Sequence, residues 1–413
     1  MRPVRHLFIY TVLSVMMTAA IAGGQDWSQW RGPARDGVTG SFRPPSAWPD
    51  KLKLRWRVPV GIGHASPVVS GKRVFQFSRQ DEQEVAACLD LESGRVLWRD
   101  SYPVSYTMNP AATGHGKGPK STPVVAGNKL YTLGISGVLS CYDASTGKVV
   151  WRKEFSKQFK STSPLYGVAM SPIVEGGLVI AHVGGQDGGA LMAFDAESGR
   201  LKWTWNGDGP GYASPILVEA AGVRQVVTQT QQNIIGVALS TGRLLWRIPF
   251  STEYVQNIIT PVVFKQMIIL SGVDKETTAI RIVKSGASWQ TEQVWKNDQV
   301  SMYMSSPVVS GHLLVGLSHK KKGQFFCLDA RTGKTLWTSE GRDGDNAAII
   351  AAGDLILALT TDADLIVSRK SASGLEPVKR YSVAENATWA HPAVAGNQIL
   401  IKDVSNLALW SFD

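Results

Sequence analysis

The side chains best suited to bind a ligand lie just before Ser-Pro or Thr-Pro dipeptides, or before their equivalent in a repeat. They offer imidazole, indole, phenol, ammonium, carboxylate and carboxamide groups, and the candidate set is His64, Lys120, Tyr212, Tyr303, Asp345, Asn346, Trp389 and His391. Aromatic side chains joined by a few polar groups are typical of small-ligand sites, and the cationic members favour an anionic or aromatic ligand. Alternatively, each dipeptide only starts a strand, with Ser capping a free backbone group, and we favour this for the serines themselves.

Catalytic and metal signatures are weak. The best oxygen cluster for a hard cation is Asp343, Asp345 and Asn346, joined by Asp362 or Asp364. Acidic residues in turns are usually solvated, so we predict no metal site. The sequence has no hydrolase signature, HExxH motif, dinucleotide fingerprint or Cys-x-x-Cys-His haem motif. We therefore assign no catalytic residue, and an enzyme is not the favoured interpretation.

The segment 104–120, "VSYTMNPAATGHGKGPK", is the longest interruption between repeats. Long loops of this kind in a compact fold are functional or disordered. We expect this one to form a flap over the candidate site, bringing His115, Lys117 and Lys120 towards it.

One phrase recurs along the chain and defines a structural repeat. Its copies are CLDLESGRVLW (88–98), CYDASTGKVVW (141–151), AFDAESGRLKW (193–203), GVALSTGRLLW (236–246) and CLDARTGKTLW (327–337). A β-branched run, a Gly-containing turn and a second alternating run precede each copy, so each unit predicts a four-stranded antiparallel sheet. The closing Trp should pack one sheet on the next, and the predicted structural set is Trp56, Trp98, Trp151, Trp203, Trp246, Trp295 and Trp337. Three copies also place a cysteine in the third strand, for which we predict burial rather than a disulfide.

The period and the short strands favour a β-propeller over a helical solenoid. A seventh unit, 347–383, has lost its Pro and its Trp, and an eighth begins at 391 but ends after the strand 408–412. The orphan strand 52–60 can supply the missing fourth strand. We therefore predict an all-β, eight-bladed propeller closed by pairing of the N- and C-terminal strands, with seven blades as the alternative.

The predicted ring also fixes the position of the candidate site. Loops that enter the innermost strands of a propeller meet at one mouth of its central channel, so the candidate residues should converge there. We expect residues 52–413 to form a single propeller domain and residues 23–51 to pack on it.

The first residues are typical of a secretory signal peptide, which we place at 1–22. Arg2 and Arg5 precede the apolar run 7–17, and Ala20-Ile21-Ala22 offers a cleavage site. No cysteine lies near that site, so no lipid anchor is expected. We predict a periplasmic or secreted monomer without a transmembrane segment.

The net charge of +10 at pH 7 favours anionic partners. Basic residues recur in the turns predicted to face away from the mouth, including Arg95, Lys148, Arg200, Arg243 and Lys334. Simple solvation of turns explains them, and a nucleic-acid partner is not expected for an exported chain without base-stacking motifs.

The repeated phrase resembles the repeat of pyrroloquinoline quinone (PQQ) dehydrogenases and of BamB. The stretches 26–38, 114–151 and 387–401 look like exported PQQ-binding-like propeller proteins. The resemblance implies a binding or scaffold module, acting on an envelope protein partner or on a small ligand at the mouth. It implies, as the alternative, a PQQ-dependent dehydrogenase or a non-catalytic PQQ-binding relative, in which PQQ with calcium would be the cofactor. The adjacent cysteines that many such dehydrogenases carry are missing here.

Overall fold

The computed structural model describes residues 26–186 and 188–413, and the predicted signal peptide lies outside them. The described residues form eight sheets with four antiparallel strands each, one of which gains a short fifth strand. The predicted eight-bladed, all-β propeller is therefore confirmed. Within these ranges, no helix is long and apolar enough to span a membrane.

The strands of each blade are given from the innermost to the outermost. Blade 1 comprises Val68–Ser70, Arg73–Gln80, Gln83–Asp90 and Val96–Pro103. Blade 2 comprises Val124–Ala126, Lys129–Leu133, Leu139–Asp143 and Val149–Lys153. Blade 3 comprises Ile173–Glu175, Leu178–Gly185, Gly188–Asp195 and Leu201–Trp205. Blade 4 comprises Ile216–Ala220, Val223–Gln229, Asn233–Ala238 and Leu244–Pro249.

The second half of the ring follows the same order. Blade 5 comprises Val262–Phe264, Met267–Leu270, Thr277–Ser285 and Ser288–Asn297. Blade 6 comprises Val308–Ser310, Leu313–Ser318, Gln324–Asp329 and Thr335–Thr338. Blade 7 comprises Ala347–Ala352, Leu355–Thr360, Asp364–Lys370 and Leu375–Ser382. Blade 8 comprises Ala393–Ala395, Gln398–Lys402, Asn406–Ser411 and, from the other end of the chain, Lys53–Pro59.

Short 3-10 helices lie in some of the connections between blades and in one hairpin of blade 6. In the described ranges they are Pro110–His115, Glu253–Val255 and Lys320–Lys322.

Pairing between the two ends of the chain closes the ring. Lys53–Pro59 runs antiparallel to Asn406–Ser411, with Lys53 opposite Ser411 and Pro59 opposite Asn406. The predicted closure is confirmed, and it removes the open edge that a three-stranded last blade would expose.

The repeated phrase joins neighbouring blades through a hydrogen bond and a packing contact. The indole N–H of a blade's closing Trp donates to a turn carbonyl of the next blade, as in Trp98 to Ala144 at 3.0 Å and Trp151 to Ala196 at 3.0 Å. The Trp ring lies against the Gly of that turn, where a Cβ would come within 3 Å of the ring. The Trp and Gly pairs are Trp56 with Gly94, Trp98 with Gly147, Trp151 with Gly199, Trp203 with Gly242 and Trp295 with Gly333.

The two remaining closing Trp residues lack the contact with a turn Gly of the next blade. Trp337 donates to the Ser371 carbonyl of blade 7, which lacks the phrase. Blade 5 also lacks the phrase, and Trp246 of blade 4 donates instead to Gln225 of its own blade. The contact between blades therefore changes wherever the phrase is lost.

Small residues lie opposite several of these Trp residues. Cys88, Cys141 and Cys327 pair across the sheet with Trp98, Trp151 and Trp337, respectively. All three cysteines are buried, as predicted, and burial raises each thiol pKa to about 12. A small side chain at this position leaves room for the indole on the same face of the sheet.

Replacing Gly147 with Ala tests the contact between blades. The new Cβ would lie 2.5 Å from the Trp98 ring at a φ of +76°, whereas Gly127 has a φ of +58° and open space around it. We expect Gly127→Ala to cost about 1–2 kcal/mol from backbone strain alone. Gly147→Ala should cost about 3 kcal/mol or more in the free energy of unfolding, because the ring must also move. Equal losses in the two variants, measured by urea unfolding, would contradict this account.

Residues 27–43, called the plug segment from here on, run through the central channel. Trp27 exchanges two backbone hydrogen bonds with Val69, and Val38–Thr39 pairs in parallel with the innermost strand of blade 7. The segment meets the innermost strand, or the residues leading into it, in every blade. Its partners in blade order are Val69, Val125, Pro172, Pro215, Thr260, Pro307, Ala351 and His391. The channel is therefore filled by the chain itself.

Candidate functional site

A cavity of about 670 Å³, the mouth cavity, opens at one end of the channel above the plug segment. Seven of the candidate residues line it: His64, Lys120, Tyr212, Tyr303, Asn346, Trp389 and His391. Asp345 does not line it, because its side chain is exposed beside Asn346. Residues from six blade entries thus meet around one opening, although they are far apart in sequence.

The recurrent Ser/Thr-Pro dipeptides hold the blade entries together. The backbone N–H of Ser66 donates to the Thr122 hydroxyl at 3.2 Å, and that of Thr122 donates to the Ser171 hydroxyl at 2.9 Å. Ser171 repeats the contact with Ser214 at 2.9 Å. Each hydroxyl therefore satisfies a backbone donor of the preceding blade, leaving the neighbouring aromatic and charged side chains to line the cavity.

The loop 104–120 forms part of the cavity wall. Asn109, Ala111 and His115 line the cavity, which supports the expectation that this loop lies at the mouth. The carbonyl of Pro119 accepts backbone hydrogen bonds from His64 and Ala65 at 2.8 and 3.0 Å. These contacts hold the end of the loop against the entry of blade 1.

Aromatic rings form much of the wall beside this loop. The His115 ring lies 4.7 Å from that of Trp389, and the His64 ring lies 6.1 Å from both. Tyr166 and Tyr212 stand on another side, with ring centroids 5.9 Å apart.

The plug segment supplies the floor, which sequence reasoning missed. Trp30 and Arg31 line the cavity, and the Trp30 indole donates to the Thr260 hydroxyl at 3.0 Å. These residues belong to no repeat, so convergence of the blade entries did not predict them. One sequence feature could have indicated them: the Trp-Arg-Gly-Pro stretch carries side chains that can bind ligands and lies outside every repeat.

The cavity is lined by basic and neutral groups. Among its described lining residues there is no Asp or Glu, whereas Arg31 and Lys120 both face it. Burial lowers the pKa of Lys120 to about 8 and that of Arg31 to about 10, so both remain mainly charged at neutral pH. The Lys120 ammonium donates to the Tyr166 carbonyl. The positive charge of these two side chains favours the binding of an anionic ligand.

The cavity histidines are neutral. Burial, assisted by neighbouring positive charges, lowers the pKa of His64 and of His391 to about 3. Both histidines therefore stay uncharged in mild acid. His391 is 4% exposed and stacks on Trp27 with a centroid distance of 6.0 Å. It therefore belongs to the support of the floor.

The oxygen cluster singled out from the sequence does not form a cation site. Asp343 accepts a hydrogen bond from Ser339, and Asp364 pairs with Arg380 at 3.0 Å. In the parts of the chain that the structure covers, no group of three His, Cys, Asp or Glu residues is placed to hold a metal. Calcium needs several oxygen ligands, and the basic lining of the mouth cavity does not supply them.

A second cavity of about 390 Å³ opens on the opposite face. It is lined by Arg35 and Asp36 of the plug segment and by basic turn residues such as Arg224 and Lys265. The plug segment therefore separates two cavities, and the mouth cavity ends at a closed floor.

The fold and the site define an eight-bladed PQQ-like propeller with a cavity at one end of a plugged channel. The chain belongs to the family described as outer membrane protein assembly factor BamB, whose profile matches residues 81–339. The resemblance inferred from the repeated phrase is thereby confirmed.

Individual relatives include both kinds of protein expected from the sequence. BamB of Yersinia pestis is 23% identical over 369 residues, which are 84% of this chain and 85% of that protein. Quinohemoprotein alcohol dehydrogenase ADH IIB of Pseudomonas putida is 33% identical over 141 residues, or 32% of this chain and 19% of the enzyme. The sequence similarity to this dehydrogenase thus covers about a third of the chain.

Solved structures show the same fold. BamB from Moraxella catarrhalis superposes with a TM-score of 0.62 at 15% identity, covering 88% of this chain and 98% of that one. Quinohemoprotein alcohol dehydrogenase from Comamonas testosteroni gives a TM-score of 0.66 at 14% identity, covering 94% and 80%. At these identities the likeness shows the architecture alone.

Proposed function

We propose that this protein is a non-catalytic binding module of the cell envelope, BamB-like in architecture, that holds a small, flat, anionic ligand in the mouth cavity. The observation that carries the proposal is a cavity with a closed floor, aromatic walls, two cationic side chains and no carboxylate among its described lining residues. Such a site attracts an anion by charge and holds a planar molecule by contact with its rings.

The state of the histidines supports binding rather than catalysis. A general base works best with a pKa near the working pH, and those of His64 and His391 lie near 3. Lys120 already donates to a backbone carbonyl. The two histidines are therefore suited to position a ligand, because proton transfer by them near pH 7 would need a different pKa.

Family membership adds a scaffold role on the outside of the ring. BamB proteins are named for outer membrane protein assembly, and we propose that an envelope protein partner contacts this propeller in a similar way. The exposed basic turns, including Lys148 and Arg243, offer the complementary surface for an acidic partner. We further propose that the exported chain acts as a monomer, with residues 52–413 as its single propeller domain and the N-terminal segment packed on it.

The second candidate is a PQQ-binding protein, favoured by the partial similarity to a quinohemoprotein alcohol dehydrogenase. PQQ is a flat anionic quinone, and Trp389, Trp30 and Lys120 are suited to contact its rings and its charge. When bound, PQQ supplies a carbonyl group that accepts electrons. Because the cavity does not fit calcium, we assign no oxidation step to this chain.

Titration with PQQ in the absence of calcium tests the binding role. We expect saturable quenching of Trp fluorescence, weakened about 10-fold by Lys120→Met because a charged contact is lost. Lys148→Met, an exposed substitution of the same type outside the cavity, is the control and should bind like the parent. Equal binding by all three proteins would place the ligand elsewhere. Binding that requires Ca²⁺, with alcohol-dependent dye reduction, would favour the dehydrogenase instead.

A further inference from the structure

Two buried arginines in the plug segment have contrasting surroundings. Arg35 is 3% exposed, and its guanidinium donates to the carbonyls of Pro215, Pro172 and Ser171 at 2.8 to 3.0 Å, and to the Gln29 amide oxygen at 3.1 Å. Every nitrogen of its fork has a partner. Arg35 is therefore a structural residue, joining the plug segment to blades 3 and 4.

Arg31 has no exposed surface, yet much of its guanidinium group makes no hydrogen bond. Its Nη2 donates to the Asp36 carbonyl at 3.1 Å and to the Pro307 carbonyl. Its Nε and Nη1 have no hydrogen-bond partner among the described residues. Three N–H groups of a buried cation are thus left without an acceptor.

No carboxylate in the described ranges forms an ion pair with Arg31, although the charge of Asp36 acts to raise its pKa. Burying an uncompensated charge is strongly unfavourable, and an arginine fork is normally matched by a bidentate anion. Arg31 also adopts a left-handed backbone conformation with a φ of 58°. Such strained conformations cluster at ligand sites.

The unused part of the guanidinium lies directly beneath the floor of the mouth cavity, and a ligand reaches it when the floor side chains above it move aside. Arg31 lines the mouth cavity beside Trp30, and Asn346 on the same lining has a buried amide oxygen without a partner. The neighbouring His391 is neutral, so it does not compete for an anion. The cavity floor therefore combines a cationic fork with aromatic surface.

We propose that Arg31 forms a carboxylate-binding subsite at the floor of the mouth cavity, so that the cognate ligand is an aromatic carboxylate inserted carboxylate first. Nε and Nη1 of Arg31 donate to the two carboxylate oxygens. The ring system lies among Trp30, Tyr212 and Trp389, and Lys120 is available to a second anionic group. This inference rests on the proposed binding function and adds the ligand class and the residue that selects it.

Binding of 2-naphthoate, compared with its neutral amide 2-naphthamide, tests this subsite. We expect calorimetric binding of the carboxylate to the parent protein, weaker binding of the amide, and a loss of roughly 10- to 100-fold in carboxylate affinity in Arg31→Met. Arg31→Lys keeps the charge but not the fork, and should recover only part of the affinity. Lys117→Met removes an exposed charge from the loop beside the cavity and should leave both affinities unchanged.

Thermal stabilisation provides a second measurement. Saturating 2-naphthoate should raise the melting temperature of the parent protein and should not raise that of Arg31→Met. If Arg31→Met fails to fold, the carboxylate-to-amide ratio in Arg31→Lys decides, and a ratio equal to that of the parent overturns the proposal. Equal binding of 2-naphthoate and 2-naphthamide overturns the Arg31 subsite while leaving the mouth cavity as a binding site. No binding of either probe to the parent overturns this subsite, whereas the wider binding function is still judged by the PQQ titration.

Discussion

Deleting residues 26–60 is expected to remove most of the folding free energy of this propeller. The deletion takes away the fourth strand of blade 8 and the plug segment together. Trp27 and Trp56 are buried at 1% and 8% exposure, and losing such an aromatic side chain from a core costs about 3–5 kcal/mol each. Domains of ordinary stability have about 5–15 kcal/mol in total, so the truncated chain should unfold far below the melting temperature of the parent.

A shorter deletion separates the two contributions. Removing residues 26–51 keeps the closing strand Lys53–Pro59 and takes away the plug segment together with the linker 44–51. We expect a melting temperature, measured by circular dichroism, between those of the full chain and the longer truncation. Closure by the terminal strands would be contradicted if the longer truncation melted like the full chain.

Acid is expected to destabilise the protein well before its carboxylates are protonated. Burial lowers the pKa of His64, His182 and His391 to about 3, 4 and 3. In the unfolded chain these groups titrate near 6.5, so below that pH the unfolded state binds protons that the folded state does not. Stability is therefore complete above pH 6.5 and falls as the pH approaches 4. At pH 5 the loss is about 2 kcal/mol for each histidine.

One buried acid opposes this trend. Burial raises the pKa of Glu84, which accepts hydrogen bonds from the Tyr102 hydroxyl at 2.6 Å and the Ile135 N–H at 2.7 Å. A raised carboxyl pKa contributes stability that is present at low pH and is lost as the pH rises, so Glu84 offsets part of the histidine effect.

Urea unfolding at pH 7 and pH 5 measures the balance of these effects. His182→Gln should reduce the difference between the two pH values, whereas substitution of the exposed His312 by Gln should not. A free energy of unfolding that is the same at both pH values in the parent protein would contradict the buried, neutral histidines.

The architecture was predictable because the phrase that forms the contact between neighbouring blades recurs in the sequence. Each copy of the repeated phrase contains a turn on which the preceding blade's Trp packs, and Gly147 and Trp98 show why both residue types recur. Ring closure was predictable for the same reason, since a repeat that stops after three strands needs a fourth. The convergence of Tyr212, Tyr303 and Trp389 then followed from ring geometry.

The floor of the site was not predictable in this way. Trp30 and Arg31 act through contacts with blades that lie more than two hundred residues away in sequence, such as Thr260 and Pro307. A segment that occurs once carries no periodic signal. The neutral state of His64 and His391 depends on the depth of burial, which residue type does not specify. Asp345 was misplaced because its side chain is exposed, whereas that of Asn346 is buried, and the sequence does not distinguish the two neighbours in this respect.

The position of the plug segment has a consequence for the order of assembly. Residues 27–43 are made among the first, yet their contacts are complete only when the entry to blade 8, at His391, has been made. The plug segment therefore lacks some of its packing partners until the C-terminal part of the chain has been made. A chain that ends before blade 8 keeps the plug segment and the closing strand but lacks their last partners, so the ring stays open and should be more sensitive to proteolysis than the finished ring. Only a chain that includes blade 8 can therefore complete the folded ring.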